Sequence, residues 1–309
     1  MKLKKLIRNL TRAFLQKLRL RALAVNDIHR FSRSATFSLL DNSYDQLSAR
    51  IMYNVHGLEK GFTHEDNFRP KFGLKNLRNL NDTLVEFEKN HYSKDSFAFQ
   101  EGIAILNKYN TIHKEKGVDT DFLSDEINIE FLKSGSESKY DAGVKSMSKC
   151  QKDGSKQKGF KDLALGRSSI RTFSGNSVDI SRVYNALDIA KKTPSVCNRQ
   201  GWRVVLVKDK GTIKELLKIQ HGFGGYPYLP EYVITIIGSE TSYLSPVERN
   251  EVYIDGGLFA MSVIYGLEYE SLAAVPLNAM MNSKEEASIR ELLHLKKSEV
   301  LILFIGVGD

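Results

Sequence analysis

The stretch GRSSIRTF, residues 166–173, sets Arg167 and Arg171 four apart, with Ser168 and Ser169 between them and an aromatic residue just beyond. Guanidinium groups interleaved with hydroxyls suit a phosphate, because arginine offers a planar fork of donors and serine adds a short-range one. The plainer alternative is a surface pair that bridges carboxylates. A second stretch, TPSVCNRQGW at 193–202, has Pro194 to stop a helix, followed by Ser195, Asn198 and Gln200 at the entrance to an apolar run. Those side chains make a polar cradle with no nucleophile in it, since Cys197 has no histidine or other base beside it and reads as packing. A third stretch, AAVPLNAMM at 273–281, is apolar, is broken by Pro276 and carries Asn278 as its only polar side chain.

The elements that must position these residues follow from hydrophobic periodicity. WRVVLV at 202–207, YVITIIG at 232–238 and VLILFIGV at 300–307 are continuous β-branched runs that predict strands buried on both faces. Helical patterns at 179–192, 211–219, 252–268 and 284–293 lie between them, so the C-terminal half is expected to be an α+β sandwich with helices covering a central sheet. The N-terminal half reads as all-α. Leu3, Ile7, Leu10, Phe14 and Leu18 make one stripe, and Leu40, Tyr44, Leu47, Ile51, Val55 and Leu58 make a second. Further helices are predicted near 74–90 and 97–114. The polar, Gly/Ser/Lys-rich stretch 134–158 reads as a flexible linker, which gives a helical extension over 1–133 and a sheet-containing domain over 159–309.

Four segments, RSSIRTF, PSVCNRQGW, YIDGGLFAMSVIYGL and LFIGVGD, occur in an order that resembles the nitroreductase-like FMN-dependent oxidoreductase family over residues 160–309. The resemblance implies a homodimer with FMN between subunits and NAD(P)H as electron donor. It also implies ping-pong hydride transfer through the flavin N5 to an acceptor, with the chemistry carried by the flavin and no catalytic side chain. It assigns Arg167 and Ser169, with Ser168 beside them, to the phosphate. Arg171 goes to the pyrimidine edge, where negative charge grows on reduction. Ser195 and Asn198 become contacts from the second subunit, with Gln200 nearby, and Pro276, Leu277 and Asn278 the segment passing N5. The helix after Asp255 becomes the central dimer helix. Gln220 and His221 fall where relatives supply an Asn and a basic residue, and Gly201 stands where a proline is usual. These departures, and the end of the chain at Asp309 where many relatives continue with a basic tail, predict either reduced FMN affinity or a natural protein that is longer. They motivate an alternative, a flavin-poor dimeric scaffold or membrane-associated accessory protein in surface-polysaccharide biosynthesis. NVHGLEKGF at 54–62 with RPKFG at 69–73 resembles the helical extension of nitroreductase-like proteins associated with such genes. Within it, His56, Glu59 and Lys60 read as helix-end caps and ion pairs.

Composition sets the outer bounds. The chain has 309 residues and a formal net charge of +8, with much of the excess in residues 1–24. Charge alone does not predict a nucleic-acid partner. No histidine spacing suggests a metal, and Gly222, Gly224 and Gly225 do not form a dinucleotide fingerprint. The sequence has no apolar run of membrane-spanning length and no secretory signal pattern, and its two cysteines suggest no disulfide framework, so a reducing cytoplasmic setting is expected. The basic amphipathic helix at the N-terminus reads first as one that packs on its own protein or a dimer partner. Peripheral contact of residues 1–24 with an anionic membrane is the alternative.

Overall fold

The computed structural model describes residues 2–36, 42–64, 68–134, 140 and 142–309. They form two compact units, Ile28–Ser146 and a second made of Met1–Asp27 with Met147–Asp309, so the first part of α1 (Lys2–Ser34) groups with the C-terminal half.

In the Ile28–Ser146 unit, α2 (Tyr44–Phe62), α3 (Leu74–Lys89) and α4 (Phe97–Glu115) pack around one core, followed by the short α5 (Leu123–Glu126) and α6 (Glu130–Ser134). Leu47, Ile51, Val55 and Leu58 recur every three or four residues on α2 and meet Leu77, Leu80, Leu84 and Phe87 of α3. Leu40, expected on that stripe, lies outside the described residues. Ser43 and Gln46 close a capping box at the start of α2. The glycines of NVHGLEKGF are there for close approach: a Cβ on Gly57 would meet Asn76 and one on Gly61 would meet the Phe72 ring, each well inside contact distance. The RPKFG turn takes left-handed backbone at Lys71 and Gly73. It is held from α4 by Tyr109, whose hydroxyl donates to the Phe72 carbonyl at 2.8 Å, and by the buried His113. His113 Nε2 accepts from the Lys71 N–H at 3.1 Å, which leaves Nδ1 to donate to the Tyr109 carbonyl at 2.8 Å. His56 pairs with Glu59 at 3.6 Å along α2.

The other unit is a sheet between two helical layers. After α7 (Lys149–Lys152), α8 (Phe160–Gly166) and α9 (Ile180–Ala190) come β1 (Trp202–Val207), α10 (Lys210–Gln220) and β2 (Tyr232–Ser239). Then follow α11 (Glu251–Tyr269), β3 (Ala273–Asn278), α12 (Ser283–Leu292) and β4 (Glu299–Gly308). The four strands run in the order β1-β2-β4-β3, antiparallel throughout. Side chains alternate across the sheet. Val233, Ile237, Val275 and Phe304 face Ile213, Leu216 and Ile289 of α10 and α12. Ile234, Ile236, Ala274 and Ile305 face Val183, Phe259, Val263 and Leu267 of α9 and α11. The fold class is α+β.

Three features differ from the sequence reading. The 273–281 segment contains an edge strand despite Pro276, because an edge tolerates a residue with no N–H to donate. β1 is the opposite edge and is only partly buried, unlike β2. The polar stretch 134–158 is ordered at its C-terminal end: Lys152 is buried in an ion pair with Glu268, and Lys156 pairs with Glu270, so the charges that suggested a solvated linker are spent on the end of α11. Residues 135–139 and 141 lie outside the described ones.

Candidate functional site

Arg167 ends α8, its N–H bonding back to the Leu163 carbonyl at 3.1 Å. The chain then runs without regular structure alongside β3, held by the Ile170 N–H on the Ala274 carbonyl at 3.0 Å and by the Ser174 N–H on the Asp309 carbonyl at 2.9 Å. Arg167, Ser169, Ile170 and Arg171 are half-buried and Phe173 is buried, while Ser168, Thr172 and Ser174 are exposed. Ile170 and Phe173 both pack into the core shared with α10 and α12. The Phe173 ring stacks on Phe223 with centroids 5.9 Å apart and fixes the segment to the core.

Within Met147–Asp309, what separates these two arginines from the other five is the lack of an acceptor. Arg199 forks onto Glu248, Arg203 onto Glu299 and Arg249 onto Asp27, while Arg182 and Arg290 donate to backbone carbonyls. Among the described residues neither Arg167 nor Arg171 meets a carboxylate or carbonyl, and the Ser168 and Ser169 hydroxyls are likewise unbonded. Half-buried cations with no counter-charge are poised for an anion.

Beside them on the same edge, the buried Gln220 joins α10 to β3: its Nε2 donates to the Asn278 carbonyl at 3.0 Å and its Oε1 accepts from the Gly222 N–H at 2.7 Å. Gln220 therefore braces the segment of Pro276, Leu277 and Asn278, with one of its two donors and one of its two acceptor sites used internally. Pro276 is half-buried, Leu277 buried and Asn278 exposed. His221 points to Glu285, 3.2 Å away.

The Ser195, Asn198 and Gln200 cradle forms a compact turn. Ser195 Oγ accepts from the Gln200 N–H at 2.9 Å, and Asn198 Oδ1 from Gln200 Nε2 at 3.0 Å. Cys197, Asn198 and Gln200 have φ of 50°, 52° and 50°, the left-handed region that non-glycine residues rarely adopt. Anchors hold them there. The carboxylate of buried Asp255 accepts from the Val196 N–H at 3.1 Å and from the Tyr243 hydroxyl at 3.2 Å, and Arg199 lies over the Tyr243 ring while it forks onto Glu248. Burial and the adjacent Asp255 carboxylate push the Tyr243 phenol up, keeping it a neutral donor. Gly201 has a local reason too: a Cβ there would sit 2.8 Å from Ser242. Asp255, Tyr243, Arg199 and Glu248 are positioning residues that the motifs alone did not reveal. The available signal was Asp255 itself, an acid enclosed by Ile254 and the long apolar run of α11.

The turn leads into β1 and the arginine segment flanks β3, so the two sets occupy opposite edges of the sheet, and β1 and β3 themselves are three strand spacings or about 14 Å apart. Residues 164–224 match the nitroreductase family model. The match takes in Arg167 to Arg171, the Ser195–Gln200 turn and Gln220, and ends before β2. Solved structures similar to the chain include an FMN-dependent nitroreductase from Clostridium difficile, at 19% identity over 48% of this chain and 86% of that one, with a TM-score of 0.43. A nitroreductase family protein from the same organism is 23% identical over 49% and 84%, with a TM-score of 0.42. A nitroreductase-like protein from Streptococcus mutans is 21% identical over 48% and 88%, with a TM-score of 0.43. No curated protein matches the chain.

Proposed function

We propose that the C-terminal unit is an FMN-binding, NAD(P)H-dependent oxidoreductase of the nitroreductase type that works as a homodimer. The observation that carries this reading is the pair of half-buried, acceptorless arginines, Arg167 and Arg171, four residues apart in a segment that matches the nitroreductase model. Bound FMN would supply the hydride chemistry, taking a hydride from NAD(P)H and passing it to an acceptor in two half-reactions. Arg167 and Ser169 are the donors for the phosphate. Arg171 would supply a positive charge to the bound ring, where it would favour the reduced form. Ser195, Asn198 and Gln200, on the far edge of their own sheet, serve the site of the second subunit.

The surface of α11 supports the dimer. Phe259, Ala260, Val263 and Leu267 face the sheet, while Ile254 and Leu258 are about half exposed and Met261 and Tyr265 continue that stripe at helical spacing. An apolar stripe of this length on a helix already packed on its other side fits a partner subunit. Gln220, used internally, favours the alternative in which the fold is a flavin-poor dimeric scaffold.

The test is to load the full chain with FMN, remove oxygen and add NADH or NADPH. Bleaching of the flavin band, its return on adding a quinone or nitroaromatic acceptor, and a dimeric mass support the enzyme. A chain that takes up no FMN is the scaffold.

A further inference from the structure

From its first residues to Asp27, α1 belongs to the unit that carries the arginine site, and it touches that unit along a narrow side. Gln16, Leu23, Ala24 and Asp27 are half-buried within three turns, and the Arg249 guanidinium forks onto the Asp27 carboxylate. Residues 4–15 are exposed throughout. On this stretch Leu6, Ile7, Leu10 and Phe14 are 55–62% exposed and Leu18 is 42% exposed, spaced so that they form one apolar face. Arg8, Arg12 and Arg19 fall together on another face by the same spacing. Residues 1–24 hold Lys2, Lys4, Lys5, Arg8, Arg12, Lys17, Arg19 and Arg21 with no Asp or Glu, which equals the whole chain's net charge of +8 and leaves the remainder balanced.

This helix is at odds with itself in water. It has no acidic residue in its first turn, and three lysines crowd the positive end of the dipole. Like charges stand four apart at Lys4/Arg8, Arg8/Arg12 and Lys17/Arg21, each pair unfavourable to a helix. A second copy laid on the apolar face would add eight more cations to eight, with no acid within residues 1–24 to compensate. A surface that is both negative and apolar relieves every one of these conflicts together, since the leucines and phenylalanine enter the acyl boundary while the cations reach the headgroups. Among the described residues no helix is long and apolar enough to cross a membrane. We propose that residues 2–24 form an in-plane amphipathic helix that docks the protein on the surface of an anionic lipid bilayer.

The experiment is flotation of the full chain with vesicles of phosphatidylcholine alone and of phosphatidylcholine with phosphatidylserine, in low and in high salt. The expected result is binding only when phosphatidylserine is present and weaker binding in high salt. The triple variant R8Q/R12Q/R19Q should lower the partition coefficient roughly 100-fold, as three charges each worth about a factor of five at a negative surface would. Leu10→Ser with Phe14→Ser should release the protein as well, and hydrogen exchange within residues 2–24 should slow on binding. Equal partition onto both vesicle types, or undiminished binding by either variant, overturns the proposal. A change of subunit number in solution with either variant assigns the apolar face to a second copy. Binding to a DNA duplex that survives Leu10→Ser with Phe14→Ser, without vesicle binding, assigns the cations to a nucleic acid. All these residues are exposed, so the variants keep the fold, and an unchanged thermal transition checks this.

Discussion

Replacing Asp255 by alanine should loosen the 195–200 turn without unfolding the unit. The carboxylate accepts the Val196 N–H and the Tyr243 hydroxyl, and a hydrogen bond to a charged acceptor contributes about 1.5–3 kcal/mol. Val196 and Tyr243 are half-buried, so water partly replaces the lost acceptor, and about 2 kcal/mol is a fair estimate of the loss. Against it stands the left-handed backbone at Cys197 and Gln200, which costs about 1–2 kcal/mol at each residue and is held by the Asp255, Ser195 and Arg199 contacts. Strain and anchor are of similar size, so losing one anchor opens the turn locally. Hydrogen exchange measures this. The Val196 and Gln200 amides should exchange about 30-fold faster in Asp255→Ala, the equivalent of 2 kcal/mol, while the amides of Ile234 and Ile236 in central β2 slow or quicken only with global stability. Asp255→Asn, which keeps an acceptor oxygen, should fall between. Unchanged exchange at the turn, or equal acceleration throughout the sheet, would refute Asp255 as its brace.

Three further outcomes follow from packing and charge. Gly266→Ala should cost about 1–3 kcal/mol in urea unfolding, because its Cβ would lie 2.5 Å from the Ala186 carbonyl where α11 crosses α9; an unchanged midpoint contradicts that close approach. The fork from Arg203, aided by the Lys296 N–H, holds the buried Glu299 carboxyl down at about 2 against an ordinary 4.5. Its stabilisation is present above pH 4.5 and lost as pH falls towards 2, so the stability gap between the native chain and Glu299→Gln should close over that window, and a constant gap would count against it. Burial lowers the pKa of His113, whose Nε2 must stay unprotonated to accept the Lys71 N–H, so the helical unit should lose stability as pH falls below 6.5; His113→Gln should remove that dependence, and its persistence would point to another group.

Much of the architecture was legible because the core pattern is strongly periodic. The runs at 202–207, 232–238 and 300–307 became β1, β2 and β4, and the α2 stripe from Leu47 to Leu58 became core. β3 was hidden by Pro276, whose cost depends on whether a strand is central or at an edge, and sequence does not rank strands by position. Lys152 looked like solvated linker because its partner, Glu268, is over a hundred residues away. At the site, RSSIRTF announced two arginines, but their distinction from the other arginines of Met147–Asp309 is the absence of acceptors, which depends on the folded arrangement. Gln220 was read as a ligand-facing residue, and the structure uses its amide to join α10 to β3. Asp255 was visible as the head of a helix and not as the brace of a turn 59 positions earlier.

FMN and riboflavin differ by one phosphate, and their relative affinities test most directly whether Arg167 is there to hold it. Equilibrium titration of the native chain, followed by flavin fluorescence, should show FMN bound more tightly than riboflavin. In Arg167→Ala that preference should fall by roughly 30- to 100-fold, the loss of one charge-assisted fork worth about 2–3 kcal/mol, while riboflavin affinity stays nearly constant. Equal affinity for the two flavins in the native chain, or a preference that survives in Arg167→Ala, would contradict the assignment of this segment as the phosphate site.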